Sequence, residues 1–113
     1  MNKINQQGIK SIIYPVKDLA RAKALFGKLL GIEPYADDSY YVGFQIGDQH
    51  IGLDPNGHKD GMTVYYYVDD IKQSLQLLAD SGGQVLQEIT DIGGGGLIAS
   101  VRDAEGNIIG LIQ

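Results

Sequence analysis

Ser11-Ile12-Ile13-Tyr14-Pro15-Val16-Lys17-Asp18-Leu19 opens a stretch that runs to Leu29-Leu30-Gly31, and its reading decides the fold. The first six residues are mostly β-branched or aromatic, which suits a strand. Asp18 can cap a helix N-terminus with its carboxylate. Leu19, Ala22, Leu25, Phe26, Leu29 and Leu30 recur at three- and four-residue spacing, one apolar helix face. Gly31 then supplies the left-handed residue that ends a helix. The chain does this twice. Met62 to Val68 is a second strand-like run, and Val68-Asp69-Asp70-Ile71 repeats Val16-Lys17-Asp18-Leu19. Ile71, Leu75 and Leu78 mark a second helix closed by Gly82-Gly83, and Ile51-Gly52-Leu53 recurs as Ile109-Gly110-Leu111.

Between these landmarks the pattern is that of strands. A connecting segment from Ile32 to Ser39 holds a short strand around Pro34-Tyr35. Tyr40 to Ile46 and Gln49 to Leu53 form a hairpin turned at Gly47-Asp48. That register puts Val42, Phe44, Ile51 and Leu53 on one apolar face beneath the helix. Tyr41, Gly43, Gln45, His50, Gly52 and Asp54 fall on the other. In the second half, Gln84 to Ile89 is a strand and Asp91 to Gly96 a glycine-rich loop. Leu97 to Arg102 pairs with Ile108 to Ile112 around the five residues from Asp103 to Asn107. Ala99, Val101, Ile109 and Leu111 share the helix side, with Ser100, Arg102, Ile108 and Gly110 opposite. By the same alternation Ser11, Ile13 and Pro15 line a hollow, as do Thr63, Tyr65 and Tyr67. The expectation is an α+β fold of tandem βαβββ modules: a single domain over 1–113, module 1 at 11–54 and module 2 at 62–113.

Composition narrows the function. The chain of 113 residues has 43% hydrophobic and 20% charged residues, a net charge of −5 and no cysteine. Disulfides, thiolate catalysis and cysteine-ligated metals are thereby removed. No basic footprint suits nucleic acid, and no apolar run spans a membrane. Met1 to Lys10 lacks the apolar centre of a secretion signal, so cytoplasmic residence is expected.

The tandem plan, the Val-Lys-Asp-Leu junction and the Asp103-Ala104-Glu105-Gly106-Asn107 ending resemble the vicinal oxygen chelate superfamily. Its members include glyoxalase I, extradiol dioxygenases, and fosfomycin and bleomycin resistance proteins. The resemblance implies an incomplete barrel around a site, commonly in a homodimer. It also implies metal ligands on four strands, which here fall on Ser11, Gly52, Thr63 and Gly110. None is His, Glu or Gln, so no metal or other cofactor is expected. His50 and His58 are the only histidines; His50 reads as a pocket residue or as a surface strand histidine, and His58 as a solvated loop residue. Neither Ser11 nor Ser100 sits in a nucleophile-elbow pattern, and Gly93 to Gly96 lacks the context of a phosphate loop.

The implied function is metal-free binding of an aromatic or apolar small molecule, as in the bleomycin resistance branch. The ligand-binding set is Ser11, Ile13, Tyr41, Gln45, His50, Gly52, Thr63, Tyr65, Tyr67, Ser100, Arg102 and Gly110. Glycines enlarge the hollow, and Tyr35 and Phe44 are further stacking surfaces. Tyr65 and Tyr67 read as aromatic walls or as core filling; Arg102 meets an anionic group or stands solvated at the rim. The alternative is a glyoxalase-like lyase or isomerase, or a dioxygenase, with non-standard metal ligands. A third class is a structural dimer whose hollow is filled by its own side chains.

Overall fold

The computed structural model describes residues 4–57 and 61–113, with side chains from residue 8 onward. His58 lies outside the described residues. The elements are β1 (Ile4–Pro15), α1 (Leu19–Leu30), β2 (Ala36–Asp37), β3 (Val42–Ile46), β4 (Gln49–Asp54), β5 (Thr63–Val68), α2 (Ile71–Asp80), β6 (Gln84–Gly93), β7 (Gly96–Arg102) and β8 (Ile108–Ile112). Strand, helix and three strands therefore occur twice, an α+β architecture. Contacts gather the chain into two compact units, Ser11–Met62 in one and Thr63–Gln113 with the N-terminal residues in the other.

In the first unit, α1 starts and stops where its capping residues dictate. The Asp18 carboxylate accepts from Arg21 N–H at 3.1 Å. Gly31 takes φ 70° and donates its N–H to the Gly27 carbonyl at 2.9 Å. β3 and β4 pair antiparallel with Val42 opposite Leu53, Phe44 opposite Ile51 and Ile46 opposite Gln49, the register that the Gly47-Asp48 turn implies. β4 then runs parallel to the end of β1, with Tyr14 beside Leu53. Val42, Phe44 and Leu53 are fully buried, and Tyr14, Val16, Leu19, Ala22, Phe26, Leu30 and Ile51 pack on them. Phe44 is thus a core residue beneath α1 and not a stacking surface for a ligand.

α1 departs from the expected single stripe. Leu25 and Leu29 are 63% and 72% exposed, while Phe26 and Leu30 reach the core. Successive helix residues lie about 100° apart, so both pairs cannot point at one sheet.

In the second unit, the Asp70 carboxylate caps α2 by accepting from Gln73 N–H at 3.1 Å. The strand order is β5-β8-β7-β6, with β5 and β8 parallel. Val68, Ile71, Leu75, Ala99, Val101 and Leu111 form the core, with Leu78, Val85, Ile89, Leu97 and Ile109 packed against it. The β7–β8 hairpin closes around residues 103–107, pairing Arg102 with Ile108.

Four boundaries differ from the sequence reading. β1 begins at Ile4 rather than Ser11, in a polar segment with no alternation to announce it. β2 sits at Ala36–Asp37, just beyond Pro34-Tyr35, and β3 begins at Val42 rather than Tyr40. The glycine-rich run is not a long loop. β6 and β7 continue to a Gly93–Gly96 pair, and the chain reverses through Gly94 and Gly95 at φ 61° and 84°. Positive φ at both central positions is what a tight two-residue hairpin turn requires.

Candidate functional site

The candidate residues lie on the sheet faces turned away from the helices, in cross-strand rows. In the first unit one row is Gln45, His50 and Ser11, and the next is Ala36, Gly43, Gly52 and Ile13. In the second unit the central row is Tyr65, Gly110, Ser100 and Gln87. Tyr67 shares that face two residues on, opposite Ile112, and Arg102 shares it between Ile108 and Gln84. Thr63 alternates onto the same side and is buried. Alternation thus brings Ser11, Ile13, Gln45, His50 and Gly52 to one face of the first unit's strands. It brings Thr63, Tyr65, Tyr67, Ser100, Arg102 and Gly110 to one face of the second unit's strands.

The glycines do not leave the open space expected of them. A Cβ on residue 43 would stand 2.8–2.9 Å from Cζ, Cε1 and Oη of Tyr35. One on residue 52 would overlap the Tyr41 hydroxyl and lie 2.7 Å from Ile13 Cδ1. One on residue 110 would lie 2.5–2.8 Å from Cδ1, Cγ and Cε1 of Tyr65. Three strand glycines are therefore each covered by a phenol ring of the same unit. Glycine in a strand interior costs about 0.5–1 kcal/mol of conformational entropy, and here that cost is offset by ring-to-backbone contact.

Polar contacts tie the Tyr35 ring down. Tyr35 N–H donates to the Gly43 carbonyl at 2.9 Å, and the Tyr35 hydroxyl lies 3.0 Å from His50 Nδ1. The two rings meet edge to face, centroids 5.2 Å apart at 85°. Tyr35 was legible only as a possible stacking residue; its partnership with Gly43 and His50 left no periodic trace. Gln45 turns toward the hairpin end, its side-chain amide donating to the Gly47 carbonyl at 3.1 Å. Lys10 Nζ sits 5.4 Å from the Tyr67 ring centroid, within cation–π range. Asp54 is structural, its carboxylate accepting from Asn56 N–H at 2.8 Å. Ser100 is 0% exposed, and among the described residues its hydroxyl has no hydrogen-bond partner. Leaving such a group unpaired costs about 1–3 kcal/mol.

A separate cleft of about 320 Å³ opens on the helix side of the second unit. Leu75, Ala79, Val85 and Ile89 line it with Lys72, Gln76 and Glu88. It holds no residue of the candidate set.

The family profile of the Glyoxalase/Bleomycin resistance protein/Dioxygenase superfamily matches residues 8–111. The chain belongs to that superfamily. No curated protein matches it by sequence. Among solved structures it is similar to a glyoxalase/bleomycin resistance protein/dioxygenase superfamily member from Vibrio splendidus 12B01. The two are 16% identical with a TM-score of 0.70, covering 100% of this chain and 99% of that one. It is also similar to the Mn(II)-bound glyoxalase from Novosphingobium aromaticivorans, at 20% identity and TM-score 0.72, covering 99% of this chain and 40% of that one. A third is a variant of Streptomyces coelicolor methylmalonyl-CoA epimerase in complex with 2-nitronate-propionyl-CoA, at 15% identity and TM-score 0.68, with 97% of each chain covered.

A divalent ion is the cofactor this superfamily implies for an enzyme. The residues present do not fit one. At the positions that the family resemblance marks, Gly52 and Gly110 offer no donor, and their Cβ positions are taken by Tyr41 and Tyr65. Ser11 and Thr63 bring neutral hydroxyls, which are weak ligands beside imidazole and carboxylate. No group of three or more His, Cys, Asp or Glu among the described residues is placed to hold an ion.

Proposed function

We propose that this protein binds an aromatic or apolar small molecule without a metal, as a homodimer, in the manner of the superfamily's sequestering members. The observation that carries the reading is the covering of Gly52 and Gly110 by Tyr41 and Tyr65. Where a metal enzyme needs ligand side chains, this chain has bare backbone overlaid with phenol rings. Each such surface favours flat apolar groups, with Ser11 and His50 as polar points in the first unit and Thr63 and Ser100 in the second. Native mass spectrometry of protein taken directly from cells tests the reading. It should find the dimer mass and a bound organic molecule released on denaturation. Bare monomer at every concentration would overturn it.

The Tyr35–His50 pair supports a second reading, proton transfer by an imidazole and a phenol at 3.0 Å. This would make the protein a lyase or isomerase. Given the likeness to methylmalonyl-CoA epimerase, the assay is exchange of the methylmalonyl-CoA α-proton in deuterium oxide. Exchange abolished by His50→Ala would establish it, and no exchange above background would remove it.

A further inference from the structure

Ser100 sits in the middle of its sheet, on the face away from α2. Gln87 of β6 is on one side and Gly110 of β8 on the other, with Tyr65 of β5 beyond Gly110. Its Oγ is the one fully buried side-chain polar atom without a partner among the described residues. Gly110 has no side chain to offer, and Gln87 makes no hydrogen bond to it. Alanine would fill almost the same space without a hydroxyl to satisfy, so the serine calls for a partner from outside the sheet.

The surface beside it is shaped for one kind of group. The Tyr65 ring lies on Gly110 with Cγ, Cδ1 and Cε1 all 2.5–2.8 Å from the place a Cβ would take. Tyr35 on Gly43 and Tyr41 on Gly52 repeat the arrangement in the other unit. Bare strand backbone in this protein accepts phenol rings.

We infer that Ser100 is the hydrogen-bonding anchor of a subsite for a neutral phenolic ring. The ligand's ring lies over Gly110, where Tyr65 now rests, and its oxygen meets Ser100 Oγ. This rests on the small-molecule-binding reading and gives it a ligand class. A phenol suits Ser100 because each hydroxyl can both donate and accept. It remains uncharged at neutral pH, so a buried site on a chain of net charge −5 does not repel it. Tyr65 acts as the ligand's stand-in and must turn off Gly110 to admit it. Apparent affinity is therefore reduced by the fraction of molecules in which Tyr65 has turned away.

The test is a titration of the full chain with p-cresol, the tyrosine side chain as a free molecule, followed by amide NMR, with toluene as control. Shifts should centre on Tyr65, Ser100 and Gly110. Tyr65→Ala should tighten p-cresol binding by about tenfold; Tyr65→Leu serves if the alanine variant does not fold. Ser100→Ala should weaken it about fivefold or more in either background, abolish the preference over toluene, and leave thermal stability equal or higher. Binding unchanged within about twofold in Ser100→Ala overturns the anchor while leaving the binding reading intact. Shifts centred elsewhere also overturn it. No p-cresol binding to wild type or to either Tyr65 variant overturns anchor and binding reading together.

Discussion

The Tyr35 hydroxyl reaches His50 Nδ1 at 3.0 Å because residue 43, beneath the tyrosine ring, is glycine. A methyl group there would stand 2.8–2.9 Å from the ring, so the phenol would have to leave His50. Tyr35→Phe should lower stability by about 0.5–1.5 kcal/mol, the net worth of one hydrogen bond. In a Gly43→Ala background the same change should cost nothing. A double-mutant cycle read by chemical denaturation checks this, and purely additive effects would mean that Gly43 does not hold the pair.

α1 carries two kinds of leucine and phenylalanine. Phe26 packs on the core with its ring centroid 5.1 Å from that of Tyr14, whereas Leu29 is 72% exposed. Phe26→Ala should cost about 2–4 kcal/mol, somewhat below the range for a fully buried ring. Leu29→Ser should change the stability of the chain by less than about 0.5 kcal/mol. Equal losses in urea unfolding would contradict the packing.

That contrast marks where the sequence ceases to be legible. The helix ends were readable because Asp18, Asp70 and Gly31 act on their own backbone neighbours. Hairpin register was readable because turn length and two-residue alternation fix it together, down to Val42 opposite Leu53 and Arg102 opposite Ile108. Which leucines of α1 face the sheet was not, since six apolar residues span more than one face. The strand faces that carry Gly43, Gly52 and Gly110 were legible from alternation, and what covers them was not. Tyr35 just before β2 and Tyr41 just before β3 reach Gly43 and Gly52 from outside the strands, and such side-chain reach has no period. Ser100 was placed on the right face by alternation, but its missing partner is a property of packing alone.

The β7–β8 hairpin should respond to acid through Asp103. Its carboxylate accepts from Asn107 N–H at 2.8 Å and Glu105 N–H at 2.9 Å, and from the Asn107 side chain at 3.3 Å. These bonds, those to Asn107 foremost, hold its pKa below the usual aspartate value. A depressed folded-state pKa stabilises the fold fully above the unfolded value, and the benefit is lost as pH falls through the folded one. Asp103→Ala should therefore be less stable than wild type at neutral pH. The gap should narrow below roughly pH 4. Thermal melts at both pH values check it, and a gap that widens in acid would contradict the sign.

Gly83 makes a close approach rather than a turn. A Cβ there would lie 2.5 Å from Val101 Cγ1 and 2.7 Å from the Leu78 carbonyl oxygen, which is backbone and cannot move aside cheaply. Gly83→Ala should cost about 1–3 kcal/mol by overpacking the end of α2 against β7. A neutral substitution in equilibrium unfolding would show that the helix end has slack.

The central claim is that the sheet faces offer rings and hydroxyls where a metal enzyme of this superfamily holds its ion. Elemental analysis of the purified protein, before and after chelator treatment, tests it most directly, with ligand binding measured on both samples. The account predicts far less than one divalent ion per chain and unchanged binding after treatment, whereas about one ion per site, lost together with binding, would contradict it.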